Sequence, residues 1–169
     1  MKNLKKSVLL ILALCLLFSV TGCKSKTVKY QESLNAIITE ITDMNADITT
    51  TVTALQTALG AGDQNAYNNA LVQLKTYSDS LKEKYQALAA VEAPKDLTDK
   101  SAELKTHADN LCTMLDDSIE LYTIAGESLS KDLTEDQINR INELQTDIAA
   151  LQSSADRFDS ILSEIMSAE

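Results

Sequence analysis

The chain has 169 residues, 15 basic and 25 acidic, for a formal charge of −10, with one proline, four glycines and no tryptophan. So few turn formers argue against a sandwich or barrel and suit long helices. The acidic excess disfavours nucleic-acid binding, which needs lysine and arginine clustered against phosphate.

The N-terminus is the most specific segment. Lys2, Lys5 and Lys6 form a positive start, and Val8 to Val20 follows as an apolar run broken only by Ser19. This is the layout of a secretory signal. Thirteen residues fall short of the roughly 20 that a membrane-crossing helix needs. Val20, Thr21 and Gly22 then present a branched-small-small pattern, and Cys23 supplies a thiol directly after it. Cys15 competes poorly, since it sits in the middle of the apolar run behind the bulky Leu14. Residues 1 to about 26 resemble a bacterial lipoprotein signal and lipobox. The resemblance implies signal-peptidase recognition at Val20, Thr21 and Gly22, loss of residues 1–22, and diacylglyceryl modification of Cys23. It places the mature chain on the extracytoplasmic face of the cell membrane.

Two acyl chains hold a protein firmly where one would exchange. Lys24, Lys26 and Lys29 follow at once, and residues 23–29 read as a basic tether able to sit against anionic head groups. The mature chain would keep 12 basic and 25 acidic residues, a formal charge of −13. With Cys23 modified, Cys112 has no partner for an internal disulfide, so packing must supply the stability. Cys112 is expected to act as a small, partly buried apolar residue.

Beyond Lys29 the apolar residues recur at spacings of three and four, predicting helices over about 30–59, 63–91, 94–127 and 135–167 within a single domain, 30–169. The first carries Tyr30, Leu34, Ile37, Ile41, Met44, Ile48, Val52, Leu55 and Leu59; the β-branched run Thr49-Thr50-Thr51 weakens it without breaking the period. Gly60-Ala61-Gly62 can close that helix and Asp63 can cap the next, whose stripe runs from Tyr67 to Val91. Pro94 suits the first turn of the third helix, with Leu104, Ala108, Leu111, Leu115, Ser118 and Tyr122 on its stripe. Thr134 and Gln137 form a capping box ahead of the fourth, which carries Ile141, Leu144, Ile148, Leu151, Phe158, Leu162 and Ile165. Short connections make neighbouring helices antiparallel, so the expected fold is an all-α, up-down-up-down four-helix bundle. A three-helix bundle with one bent member is the alternative.

Catalytic chemistry finds little support. His107 is the only histidine; Glu103 precedes it by one turn, but two ligands do not make a metal site. Paired Glu-x-x-His motifs, a haem attachment motif, a nucleophile elbow and a phosphate-binding glycine loop are all missing. Cys112 and His107, five residues apart, point in different directions on one helix. The reading is therefore a non-enzymatic chain with no cofactor, metal or catalytic residue. The five tyrosines, mostly on stripes, are read as core residues with the hydroxyl at the bundle edge.

The acidity belongs to the second half: residues 109–169 hold fourteen acids and three bases, with Asp116, Asp117 and Glu120 the densest cluster. A solvated face accounts for this, and a surface for a cationic partner is the functional alternative. The mature domain is similar in outline to small helical lipoproteins of bacterial envelopes. Its expected role is a binding or structural module for an envelope protein or wall polymer. A small-ligand-binding or enzymatic bundle with an interhelical pocket is the second reading. A dimer through the remaining apolar positions Ile38, Ile119 and Ile124 is the third.

Overall fold

A computed structural model describes residues 25–168; Val20, Thr21, Gly22 and Cys23 lie outside the described residues. The chain is an antiparallel four-helix bundle, running α1 (Lys26–Ala61), α2 (Gln64–Ala89), α3 (Thr98–Glu127) and α4 (Glu135–Met166), with a 3-10 turn at Lys95–Leu97. At 1.5 Å per residue, the 36 residues of α1 make a rod about 54 Å long.

Local chemistry sets most of the helix ends. Ser25 accepts a hydrogen bond from the Val28 amide, so α1 starts four residues before the hydrophobic period predicts and takes up most of the expected tether. Gly62 (φ 70°) closes α1 in the left-handed region, its N–H reaching back to the carbonyls of Ala58 and Leu59. Asp63 caps α2 through the Ala66 amide. The reciprocal Thr134–Gln137 capping box opens α4. The junction before α3 differs from expectation. Pro94 is extended (ψ 156°) and leads into the 3-10 turn, so the α-helix begins at Thr98. Leu97, buried in this turn, plugs the end of the core, and the chain must turn before the helix to place it there.

The three threonines do not break α1, because the hydroxyls of Thr49, Thr50 and Thr51 donate to the carbonyls of Asn45, Ala46 and Asp47. Even Thr51, which is buried, is therefore satisfied.

α2 packs between α1 and α3, and α3 between α2 and α4. The main core lies at the end where α1 begins and draws on all four helices: Tyr30, Leu34, Ile38 and Ile41 meet Leu81, Leu88, Leu104, Leu111, Phe158, Ile161, Leu162 and Ile165. Gln31 ties the helix ends together there, its side-chain amide donating to Ile165 O (2.8 Å) and Ala168 O (2.9 Å). The other end holds a second cluster from α1 and α2, with Leu55, Ala58, Tyr67, Ala70 and Leu74 packed against Ile119 and Tyr122 of α3. Ile38 is thus a core residue and is not free to form a dimer face; Ile119 supports the second cluster, and Ile37, on the expected stripe, is only half-buried.

Tyr67 pins this second cluster. It is fully buried, and its hydroxyl donates to Tyr122 O at 2.5 Å. Burial pushes its pKa up to about 12. Its ring lies against Gly126 so closely that a Cβ there would stand 2.4 Å from Cε1.

Candidate functional site

Three regions carry the polar residues that could act on a ligand or partner: the α3–α4 seam, the α2–α3 face around Cys112, and the end of the bundle at Lys26.

The seam pairs a few of the acids across α3 and α4. Lys100 pairs with Glu164 (2.7 Å), Arg157 with Glu103 (2.6 Å) and Arg140 with Glu120 (2.7 Å). The guanidinium of Arg157 holds the Glu103 carboxyl below the usual glutamate range, and Arg140 does the same to Glu120. Glu103 is thereby committed to Arg157. It is not placed as a cation ligand beside His107, whose Nδ1 is buried without a hydrogen-bond partner. Among the described residues no group of three or more histidine, cysteine, aspartate or glutamate side chains is arranged to hold a metal ion. Each of these pairs is part-exposed and contributes modestly to stability. Their joint effect is to fix how α3 and α4 align, because a slip of either helix would break all three.

The densest acidic cluster divides among different neighbours. Asp116 pairs with Lys82 (2.7 Å) and Glu120 with Arg140. Asp117 faces Asp147, and burial followed by that like charge raises its pKa. Cys112 is half-buried, with Sγ 4.0 Å from Lys82 O. Burial, reinforced by Asp109 and Asp116, pushes its thiol up and keeps it protonated at neutral pH. Of the tyrosines, Tyr30 and Tyr67 are buried, and Tyr85 stacks edge-on against Phe158 with centroids 5.5 Å apart.

The end at Lys26 was not singled out as a pocket by the sequence. A cleft of about 730 Å³ opens there between the first turns of α1 and the connection from α2 to α3. Lys26, Lys29 and Lys95 line it, with Glu92 and Asp96 on the same walls. Among the described residues these three lysines, like Lys75 and Lys105, form no ion pair, whereas Lys82, Lys84, Lys100 and Lys131 all do. Tyr30 also lines the cleft; it is 3% exposed, and its buried hydroxyl has no hydrogen-bond partner. Lys29 and Tyr30 could be read from the sequence as a tether residue and a stripe residue. Their meeting with residues 91–96 depends on α2 returning to the start of α1.

The chain matches no protein-family model, no curated protein and no solved structure.

Proposed function

We propose that this chain is a lipid-anchored lipoprotein on the extracytoplasmic face of a bacterial cell membrane, its helical bundle serving as a binding or structural module at the envelope. The observation that carries this reading is the apolar run Val8–Val20 leading into Thr21-Gly22-Cys23. The start of α1 supports it: only Lys24 and Ser25 separate Cys23 from the helix, so a diacylglyceryl group on Cys23 would set the Lys26 end of the bundle at the bilayer surface. The opposite end would then face outward toward an envelope protein or wall polymer. Three large apolar side chains are left exposed toward that end, Leu59, Val72 and Ile138.

Two measurements test the proposal. The intact mass of the chain extracted from membranes should show loss of residues 1–22 and gain of a diacylglyceryl group, and Cys23→Ala should move the protein out of the detergent-soluble lipid-anchored fraction. An unlipidated mass with unchanged fractionation would refute the anchor. A pull-down from native envelopes, wild type against Cys23→Ala, then asks for the partner. Enrichment that vanishes at moderate salt would reduce any hit to nonspecific charge.

A further inference from the structure

We infer that the cleft at the Lys26 end binds the phosphate of an anionic phospholipid headgroup, giving the bundle a second contact with the bilayer beyond the lipid on Cys23. The inference rests on the anchor reading for its choice of ligand source, and on the cleft itself for its chemistry.

Three features converge on the cleft. Lys26, Lys29 and Lys95 bring three ammonium groups, from two separate segments, to one opening. The first turn of α1 lies in the same wall, and amides there without an intrahelical partner favour an anion. The Tyr30 hydroxyl, buried and unpartnered in a residue that lines the cleft, is a polar group left without the bond that buried hydroxyls ordinarily make. A phosphate oxygen would supply it once a small movement of the side chain opens the hydroxyl to the cleft. Glu92 and Asp96 stand on the same walls and leave a net charge of only one positive unit. The cleft is therefore not a plain basic patch, and binding depends on how its groups are arranged. A chain that is strongly acidic elsewhere gains no general attraction to an anionic bilayer, so any attachment must be local.

All four helices and both core clusters lie within residues 25–168, so an unlipidated chain running from residue 23 with Cys23→Ser keeps the whole fold. Its co-sedimentation with phosphatidylcholine vesicles containing phosphatidylglycerol tests the site. The chain should bind, and K26Q/K29Q/K95Q together should weaken binding on the order of 100-fold, about fivefold per lysine. K75Q/K105Q/K131Q, equal in charge change but away from the cleft, should leave binding unchanged. Tyr30→Phe alters no charge and should still weaken binding severalfold, with circular dichroism confirming an unchanged fold. Inorganic phosphate should release the chain from vesicles at a concentration where sodium chloride of equal ionic strength does not. Equal losses in the two triple variants, or wild-type binding by Tyr30→Phe, would overturn the proposal. Inorganic phosphate bound without any vesicle binding would overturn the lipid assignment. Lipidation is read separately by mass, so an unlipidated native chain whose cleft still binds vesicles would remove the anchor and support the cleft.

Discussion

Gly126→Ala is the sharpest test of how the far end of the bundle is packed. The added Cβ would stand 2.4 Å from Tyr67 Cε1, 2.9 Å from Cδ1 and 3.3 Å from Cζ. The ring has no easy retreat: Tyr67 is fully buried, and its hydroxyl is held by Tyr122 O, one turn before Gly126 on the same helix. Taken alone, alanine is the better helix former by about 1 kcal/mol. Overpacking a filled site costs about 1–3 kcal/mol, and a contact this short against a pinned ring takes the upper end. The net is a loss of about 2 kcal/mol, or a fall of about 4–8 °C in Tm for a domain of this size. Urea unfolding and calorimetry measure it directly. A second substitution isolates the cause. Tyr67→Leu removes the ring, so Gly126→Ala should cost much less on that background, with a coupling of about 1–2 kcal/mol. A Tm that is unchanged or raised in Gly126→Ala, or strict additivity of the pair, would refute the close packing of ring on backbone.

Three other perturbations have definite signs. The Ser78 hydroxyl is buried without a partner, so Ser78→Ala should stabilise the chain by about 1 kcal/mol in urea unfolding; a loss of stability would mean the hydroxyl is satisfied. Burial, then Asp156, raises the Asp159 pKa. A carboxyl with a raised folded pKa opposes folding once pH exceeds its unfolded value, about 3.9. Asp159→Asn should therefore be more stable than wild type at pH 7 and converge with it below about pH 3.9. An advantage that persists in acid would show that something other than charge is responsible. The half-buried, protonated Cys112 thiol should react with a disulfide reagent at pH 7.5 far more slowly than the same thiol in urea; equal rates would contradict its burial.

The bundle was legible because the spacing of apolar residues determines helix faces directly. The Thr134 box and the Gly62–Asp63 junction could be read from side-chain chemistry within four residues. The misreadings have physical causes. A strict three-four count selects Ile37, Val52 and Leu59, whereas the neighbouring positions Ile38, Thr51 and Ala58 are the buried ones. From Tyr30 to Ala58 the buried positions keep the 3.5-residue repeat of helices that wind around one another, whereas the counted stripe from Tyr30 to Leu59 advances at nearly 3.6, so the two part by one residue at several turns. Pro94 fits a helix start in isolation, but the need to bury Leu97 inserts a 3-10 turn first. The cleft was invisible because Lys29 and Lys95 are far apart in the chain and meet only through tertiary packing. The Tyr67–Gly126 contact was hidden for the same reason, since a glycine gives no sign of what lies across from it.

The bonds from Gln31 to carbonyls at and just beyond the end of α4 also determine how the molecule responds to force. They join the first and last helices at the same end of the bundle. A pull between the beginning of α1 and the end of α4 would therefore act at one corner and peel the bundle open from that end, instead of shearing two long surfaces past each other. The main core and the Gln31 bonds would take that load first, and the loops at residues 62–63 and 128–134 would feel it last. Something seated at those loops would stay attached while the opposite end began to yield.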